Sequence, residues 1–354
     1  MKNILYAFKD FDEKGGAEKN LIEVAEHASL NNKISFIISS GQNSEKLVAL
    51  GTVFTFPSKG NKLLFILDII FLFYIVLFYR INIIHSHHRY PSFIASLIKP
   101  VTSFKLLTTV HNVFPDKESF SNWGDHAIAV SKSVYNWVIA SGKYCKNDVT
   151  VVYNGITTPD SYQEVDYKSL KNEISYDYQL TYLCSVGRLS EQKNYTLLFQ
   201  LLAELKRTDW RLLLVGDGEQ REQLTKQASS LDIDNNIIFL GQRDDVDKIM
   251  QLSDIFVLSS KWEGFPYVVI EALSNGLPVI STDVGGIHEA ITNGDTGYLF
   301  NIDDDNNNYI YTLEKLISDS SLRDKMSVKC KKMFIDNFII SKMFESTDEI
   351  YSKL

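Results

Sequence analysis

Positive charge is scarce in this chain of 354 residues: 36 Lys+Arg face 44 Asp+Glu, a formal net charge of −8. Binding nucleic acid without sequence preference needs a cationic surface that displaces phosphate counterions, so this balance argues against nucleic acid as a partner. Cysteine is scarce too. Cys145, Cys184 and Cys330 are odd in number, far apart and without metal-ligand spacing, which fits a reducing, cytoplasmic compartment and neither a disulfide framework nor a bound metal. The start, MKNILYAFKD, sets charges within and directly after a short apolar run; it lacks the apolar core and small-residue cleavage site of a signal peptide and is read as a first strand. No internal repeat is visible, and the only low-complexity patch is the acidic, Asn-rich run at 303–308.

Long apolar runs are missing with one exception. Residues 63–79 are apolar at every position but Asp68, between Lys62 and Arg80. Seventeen residues is the lower edge of a membrane span, and Asp68 would be costly in one. Two readings remain open. The run is a crossover helix packed on a sheet and leading into a strand at 81–85, or a helix lying in the membrane interface with Lys62 and Arg80 near lipid phosphates.

What is present suits two domains, since domains commonly hold roughly 100–200 residues. With 45% hydrophobic and 23% charged residues the composition is that of a globular protein. The charge is uneven: residues 1–160 carry 16 Lys+Arg against 13 Asp+Glu, net +3, and residues 161–354 carry 20 against 31, net −11. A mildly cationic first half favours an anionic membrane surface or acceptor, or is ordinary variation of solvated charge. Short β-type runs alternate with helical patterns throughout, which predicts parallel sheets with crossover helices. Strands are expected at 3–8, 34–39, 81–85, 105–109, 127–130 and 150–153, then at 181–186, 211–215, 237–240, 255–258, 278–281 and 297–300. A polar, Tyr-rich stretch between the two series, about 157–179, reads as a linker.

The most informative segment is Glu263-Gly-Phe-Pro-Tyr-Val-Val-Ile-Glu271, after a strand ending at Ser259-Ser260. Carboxylates eight residues apart lie about two turns apart on one helix face, if that helix starts near residues 264–266. Gly264 allows close backbone approach, and the first-turn N–H groups favour an anionic phosphate. The segment resembles the E-x7-E motif of the large family 4 of retaining GT-B glycosyltransferases. Gly276-Leu-Pro-Val-Ile-Ser-Thr-Asp-Val-Gly-Gly286 with Glu289 continues the match. A lone glutamate pair at this spacing is common on exposed helices; the whole run from Ser259 to Gly297 is specific.

A second element agrees. Gly187-Arg188 followed by Lys193 places two cations at the carboxyl end of a strand, where parallel α/β sheets bind ligands. The resemblance implies that Arg188 and Lys193 hold a donor diphosphate and neutralise the leaving group. Relatives often have Gly after the Lys; this chain has Asn194. In the first half, Gly15 and Gly16 open an apolar-periodic helix after the first strand, a phosphate-compatible loop or simply a turn. His111 directly follows a strand; the family's His at this place contacts the transferred sugar. His85, His87, His88 and Arg89 lack acidic partners at metal-ligand spacing and resemble the family's His-rich strand end near the acceptor. Asn154 and Ser131 match family positions that are equally well turn residues. Gly216 lies in a turn that meets a nucleotide phosphate or simply redirects the chain; the resemblance adds to the donor side Arg243, in the stretch where relatives hold the nucleotide base with backbone groups, and Phe265 beside Gly264.

The resemblance therefore implies an α/β GT-B fold, two Rossmann-like domains with parallel sheets facing a central cleft: residues 1–160 on the acceptor side, a linker at 161–179, a nucleotide-sugar domain at 180–340, and a C-terminal helix at 341–354 crossing back. It implies retaining transfer from a UDP or GDP type of nucleotide sugar, Glu271 on the ribose and Glu263 near the sugar or its phosphate, without a metal or other cofactor. The apolar helix and the charge asymmetry suggest a polyprenyl-diphosphate-linked saccharide acceptor at the inner face of a membrane. The competing readings are a nucleotide-sugar epimerase of the same fold, which needs no acceptor, and a non-catalytic sugar-nucleotide or glycan-binding partner.

Overall fold

A computed structural model of the chain describes residues 1–11, 15–41, 45–59, 61, 64–113, 124–158, 167–302 and 306–354. Its contacts divide the chain into two compact units, Met1–Asn154 with Ser341–Leu354, and Gly155–Ile340.

The first unit holds seven parallel strands, β1 (Asn3–Phe11), β2 (Lys33–Gly41), β3 (Thr52–Thr55), β4 (Ile83–Ser86), β5 (Lys105–Val110), β6 (His126–Ala129) and β7 (Val149–Val151), in the order β3-β2-β1-β4-β5-β6-β7. The connecting helices are α1 (Gly16–Ser29), α2 (Glu45–Leu50), α3 (Phe65–Phe78), α4 (Arg89–Ile98) and α5 (Lys132–Ala140). The short edge strand β3, Thr-Val-Phe-Thr, has no buried residue to give it a hydrophobic signature, which is why the sequence reading passes over it.

The second unit begins with a short helix, α6 (Lys168–Glu173), inside the stretch read as a linker; Leu170 anchors it by burial. Residues 159–166 of that stretch lie outside the described residues. Six parallel strands follow, β8 (Thr181–Val186), β9 (Trp210–Val215), β10 (Ile237–Gly241), β11 (Ile255–Leu258), β12 (Val279–Thr282) and β13 (Gly297–Phe300), in the order β10-β9-β8-β11-β12-β13. They alternate with α7 (Tyr195–Ala203), α8 (Arg221–Ser230), α9 (Val246–Gln251) and α10 (Tyr267–Ser274), and α11 (Asn306–Ser318), α12 (Ser320–Asn337) and α13 (Ile340–Lys353) close the chain. All of α13 beyond Ile340 belongs to the first unit. Central strands such as Ile255-Phe-Val-Leu258 are buried at every position, as expected when helices cover both faces of a parallel sheet.

Helix α3 joins β3 to β4 as a crossover. Leu72, Ile75 and Val76 pack into the first unit's core with Leu5, Ile84 and Ile94. The opposite face is also apolar and stays exposed: Ile66, Leu67, Ile70, Tyr74, Leu77 and Phe78 are all solvent-facing, Ile70 at 61% and Phe78 at 66%. Asp68 points inward and is fully buried, accepting hydrogen bonds from Ser58 N (2.9 Å), Ser58 Oγ (2.6 Å) and the Tyr90 hydroxyl. Lys62 and Leu63 lie outside the described residues. Among the described residues no helix is long and apolar enough to cross a membrane.

Candidate active site

In doubly wound sheets a ligand crevice opens at the carboxyl ends of the two strands where the strand order reverses. In the second unit those strands are β8 and β11, paired through Leu183 and Ile255. The loops leaving them carry Gly187, Arg188 and Lys193 on one side and Ser259 through Phe265 on the other, so the topology itself brings the two sequence signatures together.

Lys193 Nζ donates to Glu263 Oε1 at 2.6 Å, with the two side chains 14% and 7% exposed. Ser260 Oγ donates to the same oxygen at 2.8 Å. Both bonds converge on Oε1. Gly187 makes the reach of Lys193 sterically open: a Cβ there would stand 3.0 Å from Lys193 Cε and 3.1 Å from the Tyr195 hydroxyl. Ser259 Oγ holds the carbonyls of Lys193 (2.9 Å) and Asn194 (3.0 Å), and Lys261 N donates to Gln192 O at 2.8 Å. Asn194 adopts φ 54°, ψ 42°. That left-handed conformation suits Gly and, among residues with a side chain, Asn, which accounts physically for the Asn where a Gly was expected.

Glu271 lies in α10, but Glu263 does not. The helix begins at Tyr267 with Pro266 as its N-cap, so the two glutamates do not share a helix face as their spacing suggested; Pro266 fixes the chain in an extended conformation and sets Glu263 in the preceding loop. A different contact holds that loop. Gly285, at φ +58°, is so close to Glu263 that a Cβ would stand 1.8 Å from its carbonyl oxygen, and Gly286 N donates to Gly264 O at 2.8 Å. The glycine pair after β12 is thus a seat for the Glu263–Gly264 backbone.

Arg188 is 76% exposed, its Nε 3.4 Å from Glu219 Oε2, a solvent-facing cation rather than a fixed one. Several other residues picked from the sequence have structural partners. Arg243 forms a fork with Asp245 (2.8 and 2.9 Å) and reaches Glu173 of α6 at 2.8 Å; these bonds raise its pKa and commit its side chain, leaving its backbone for a ligand. The Phe265 ring is buried against Phe338, centroids 5.3 Å apart. Gly216, at φ +130°, abuts the Gly187 carbonyl, which a Cβ would approach to 2.0 Å, so its glycine is explained by the packing of the loops after β8 and β9.

In the first unit the order reverses between β1 and β4. Gly15 is the N-cap of α1 and Gly16 its first residue, directly past β1, with Glu18 folded back so that a Cβ on Gly15 would meet its carboxylate at 2.2 Å. His87 follows β4 and His111 follows β5; His87 Nδ1 and His111 Nε2 are 3.0 Å apart and share one proton-bearing bond. His85, on β4 two residues before His87, is fully buried with both ring nitrogens bonded, Nδ1 to the Tyr351 hydroxyl (2.7 Å) and Nε2 to Thr109 Oγ1 (2.8 Å). Burial pushes the pKa of His85 and of His111 down to about 3 and that of His87 well below its ordinary value; all three are neutral imidazoles at neutral pH, able to orient hydroxyls without adding charge. His88 does not join them: its Nδ1 accepts from Tyr90 N as the N-cap of α4. Asn154 is buried, its Oδ1 accepting from Asn20 Nδ2 at 3.1 Å, and Ser131 caps α5. Among the described residues no group of three His, Cys, Asp or Glu is arranged to hold a metal ion.

The sequence reading missed Ser260, which the spacing Ser-x-x-Glu signals locally, and Tyr6, Thr109 and Tyr351, which nothing local signals because Tyr351 reaches His85 across 266 residues.

The chain matches two family models, one described as glycosyl transferases group 1 over residues 168–333 and one as glycosyltransferase family 4 over residues 14–159. It is 30% identical over 287 residues to the N-acetyl-alpha-D-glucosaminyl L-malate synthase of Bacillus anthracis, covering 77% of this chain and 74% of that one. It is 27% identical over 209 residues to the UDP-Gal:alpha-D-GlcNAc-diphosphoundecaprenol alpha-1,3-galactosyltransferase of Escherichia coli, covering 57% of this chain and 54% of that one. The fold is that of the Anabaena HepE crystal structure with UDP and glucose, TM-score 0.87 at 20% identity over 100% of both chains.

Proposed function

The chain belongs to the family 4, group 1 glycosyltransferases of GT-B fold, and from that membership we propose that it moves a sugar, with retained anomeric configuration and without a metal, from a nucleotide-diphosphate donor to a lipid-linked saccharide. The observation that carries the donor half is the pairing of Lys193 with Glu263 at the carboxyl end of the second unit's sheet, beside the exposed guanidinium of Arg188.

A nucleoside diphosphate is already a good leaving group, so the chain's task is to stabilise the charge that develops as it departs. Lys193 and Arg188 supply that charge. In the free protein Lys193 rests on Glu263; a bound diphosphate competes for the ammonium, and Glu263, still held by Ser260, turns its second oxygen to a donor-sugar hydroxyl. Glu271, half-buried on α10, accepts from the ribose. On the acceptor side His111, held neutral and oriented by His87, hydrogen-bonds the transferred sugar. The departing phosphate itself takes the acceptor proton on the face it leaves, which is the route to retention.

A UDP donor is favoured over GDP because the HepE structure of the same fold holds UDP. The acceptor reading rests on the galactosyltransferase of Escherichia coli, whose name specifies a diphosphoundecaprenol-linked sugar, and on the exposed apolar face of α3, which suits the interface of a membrane carrying such an acceptor. The deciding experiment supplies purified protein with UDP- and GDP-sugars, with and without polyprenyl-diphosphate-linked saccharides, and identifies the product anomer by NMR. Acceptor-dependent formation of an α-linked product from an α-linked donor is expected. Donor turnover independent of acceptor would favour epimerisation, and an inverted product would sink the retaining mechanism.

A further inference from the structure

A buried polar chain of the first unit ends at Tyr351, and the transfer reading does not use it. Tyr351, on the last turn of α13, is buried, and its hydroxyl sits 2.7 Å from His85 Nδ1 and 2.6 Å from the Tyr6 hydroxyl. His85 passes the contact on through Nε2 to Thr109 Oγ1 at 2.8 Å. Thr109 stands on β5 two residues before His111. The His85 ring also packs on the His87 ring, centroids 4.4 Å apart, and His87 bonds His111. Through His85, the end of the chain therefore reaches both the strand that presents His111 and the ring that orients it.

A neutral imidazole has one N–H donor and one bare acceptor nitrogen. If Tyr351 donates to Nδ1, His85 must donate from Nε2 to Thr109; if Tyr351 accepts from Nδ1, Thr109 must donate to Nε2. In either direction the hydroxyl of Tyr351 fixes the tautomer of His85, and a buried nitrogen left without its partner carries the full cost of desolvation. The ring then tilts or admits water, and its face contact with His87 changes with it.

We infer that Tyr351 is a positioning residue for His111: through His85 it sets the orientation of the His87–His111 pair, so that the acceptor-side histidine is held in place by the C-terminal helix. The inference rests on the proposed role of His111 in transfer.

The test is Tyr351→Phe, which keeps the aromatic ring and removes only the hydroxyl, in the full chain. Two readouts are taken. Nitrogen-15 chemical shifts of the imidazoles, measured without substrate, report tautomer and hydrogen bonding; the resonances of His85, His87 and His111 are expected to move. Steady-state transfer is expected to show kcat reduced about tenfold while binding of the bare nucleoside diphosphate is unchanged, since Lys193 and Arg188 belong to the other unit. Unmoved His87 and His111 resonances, or an unchanged kcat with moved resonances, overturn the inference. Should Tyr351→Phe fail to fold, Thr109→Val breaks the other end of the same chain and is scored by the same two outcomes. His111→Ala separates the two readings: if its transfer rate equals that of the unaltered protein, the role of His111 fails by itself, whatever the resonances of Tyr351→Phe show.

Discussion

Lys193 Nζ lies 2.6 Å from Glu263 Oε1, joining residues 70 positions apart in a site where both side chains are mostly shielded from water. Removing one partner of such a pair is far more harmful than the pair is stabilising, because the other charge stays buried and uncompensated, at a cost of roughly 3–5 kcal/mol for a fully buried pair. Lys193→Ala is therefore expected to lose transfer by about 10²–10³-fold in kcat, the range found when one charge-stabilising donor is removed, and to lower the melting temperature. Adding Glu263→Gln should restore much of the melting temperature and none of the rate. Rate and stability recovering together would show that the pair is structural only.

That pair also marks how much of the site the sequence exposed. Lys193 and Glu263 were legible because each sits a few residues past a strand, and strand ends at a reversal of strand order converge. Their contact was not legible, since it depends on Gly187 leaving room for the lysine stem and on Gly285 seating the Glu263 carbonyl, distances that no local pattern encodes. The helix expected to start near residues 264–266 begins at Tyr267, because Pro266 holds an extended conformation at its N-cap. Arg243 read as a ligand residue because its stretch matched the family's base-holding loop; Glu173, which claims its guanidinium, lies in a helix hidden within a polar stretch.

Backbone geometry makes the second prediction. Gly285→Ala forces a side chain onto a left-handed residue, about 1–2 kcal/mol in itself, and onto the Glu263 carbonyl. Urea denaturation is expected to show a loss above about 2 kcal/mol together with weakened donor binding. Asn194→Gly should be tolerated within about 1 kcal/mol, whereas Asn194→Val, a branched residue at φ 54°, should cost more than the glycine variant. Equal stability of the two Asn194 variants would remove the conformational explanation.

Two desolvated histidines, the buried His85 and the half-buried His111, give the protein an acid limb. Burial lowers the pKa of His85 and of His111 to about 3, whereas in the unfolded chain both titrate near 6.5. Between those values the unfolded state binds protons that the folded state refuses, so stability is fully present above about pH 6.5 and declines as pH falls toward 3, by about 1.4 kcal/mol per pH unit for each such group. Thermal melts are expected to be level from pH 7 to 8 and to fall steadily from 6.5 to 5, above the range where carboxylates titrate. His111→Asn should flatten that slope by one proton. A slope unaltered in this variant would mean that His111 titrates normally in the folded protein.

The apolar face of α3 makes the last prediction. Beyond its first residue, Phe65, its exposed residues recur at 66, 67, 70, 74, 77 and 78, the three- and four-residue spacing of a single helical stripe. Asp68, the one charge that would oppose lipid contact, is turned into the protein and held by Ser58 and Tyr90, so every side chain on the outer stripe is apolar or aromatic. Burying a large apolar side chain completely is worth about 1.5–3 kcal/mol, and partial burial of several is enough for reversible binding at an interface. Flotation with liposomes should therefore bring the protein up with the lipid, more so with anionic phosphatidylglycerol than with phosphatidylcholine, given the net +3 of residues 1–160. Ile70→Glu with Leu77→Glu, both at exposed positions, is expected to leave the melting temperature within a few degrees and to weaken flotation by at least about tenfold, the equivalent of 1.4 kcal/mol. If the double variant floats as well as the unaltered protein, α3 is not the membrane contact; if neither floats on any lipid, the membrane reading fails while soluble saccharide acceptors remain to be tried.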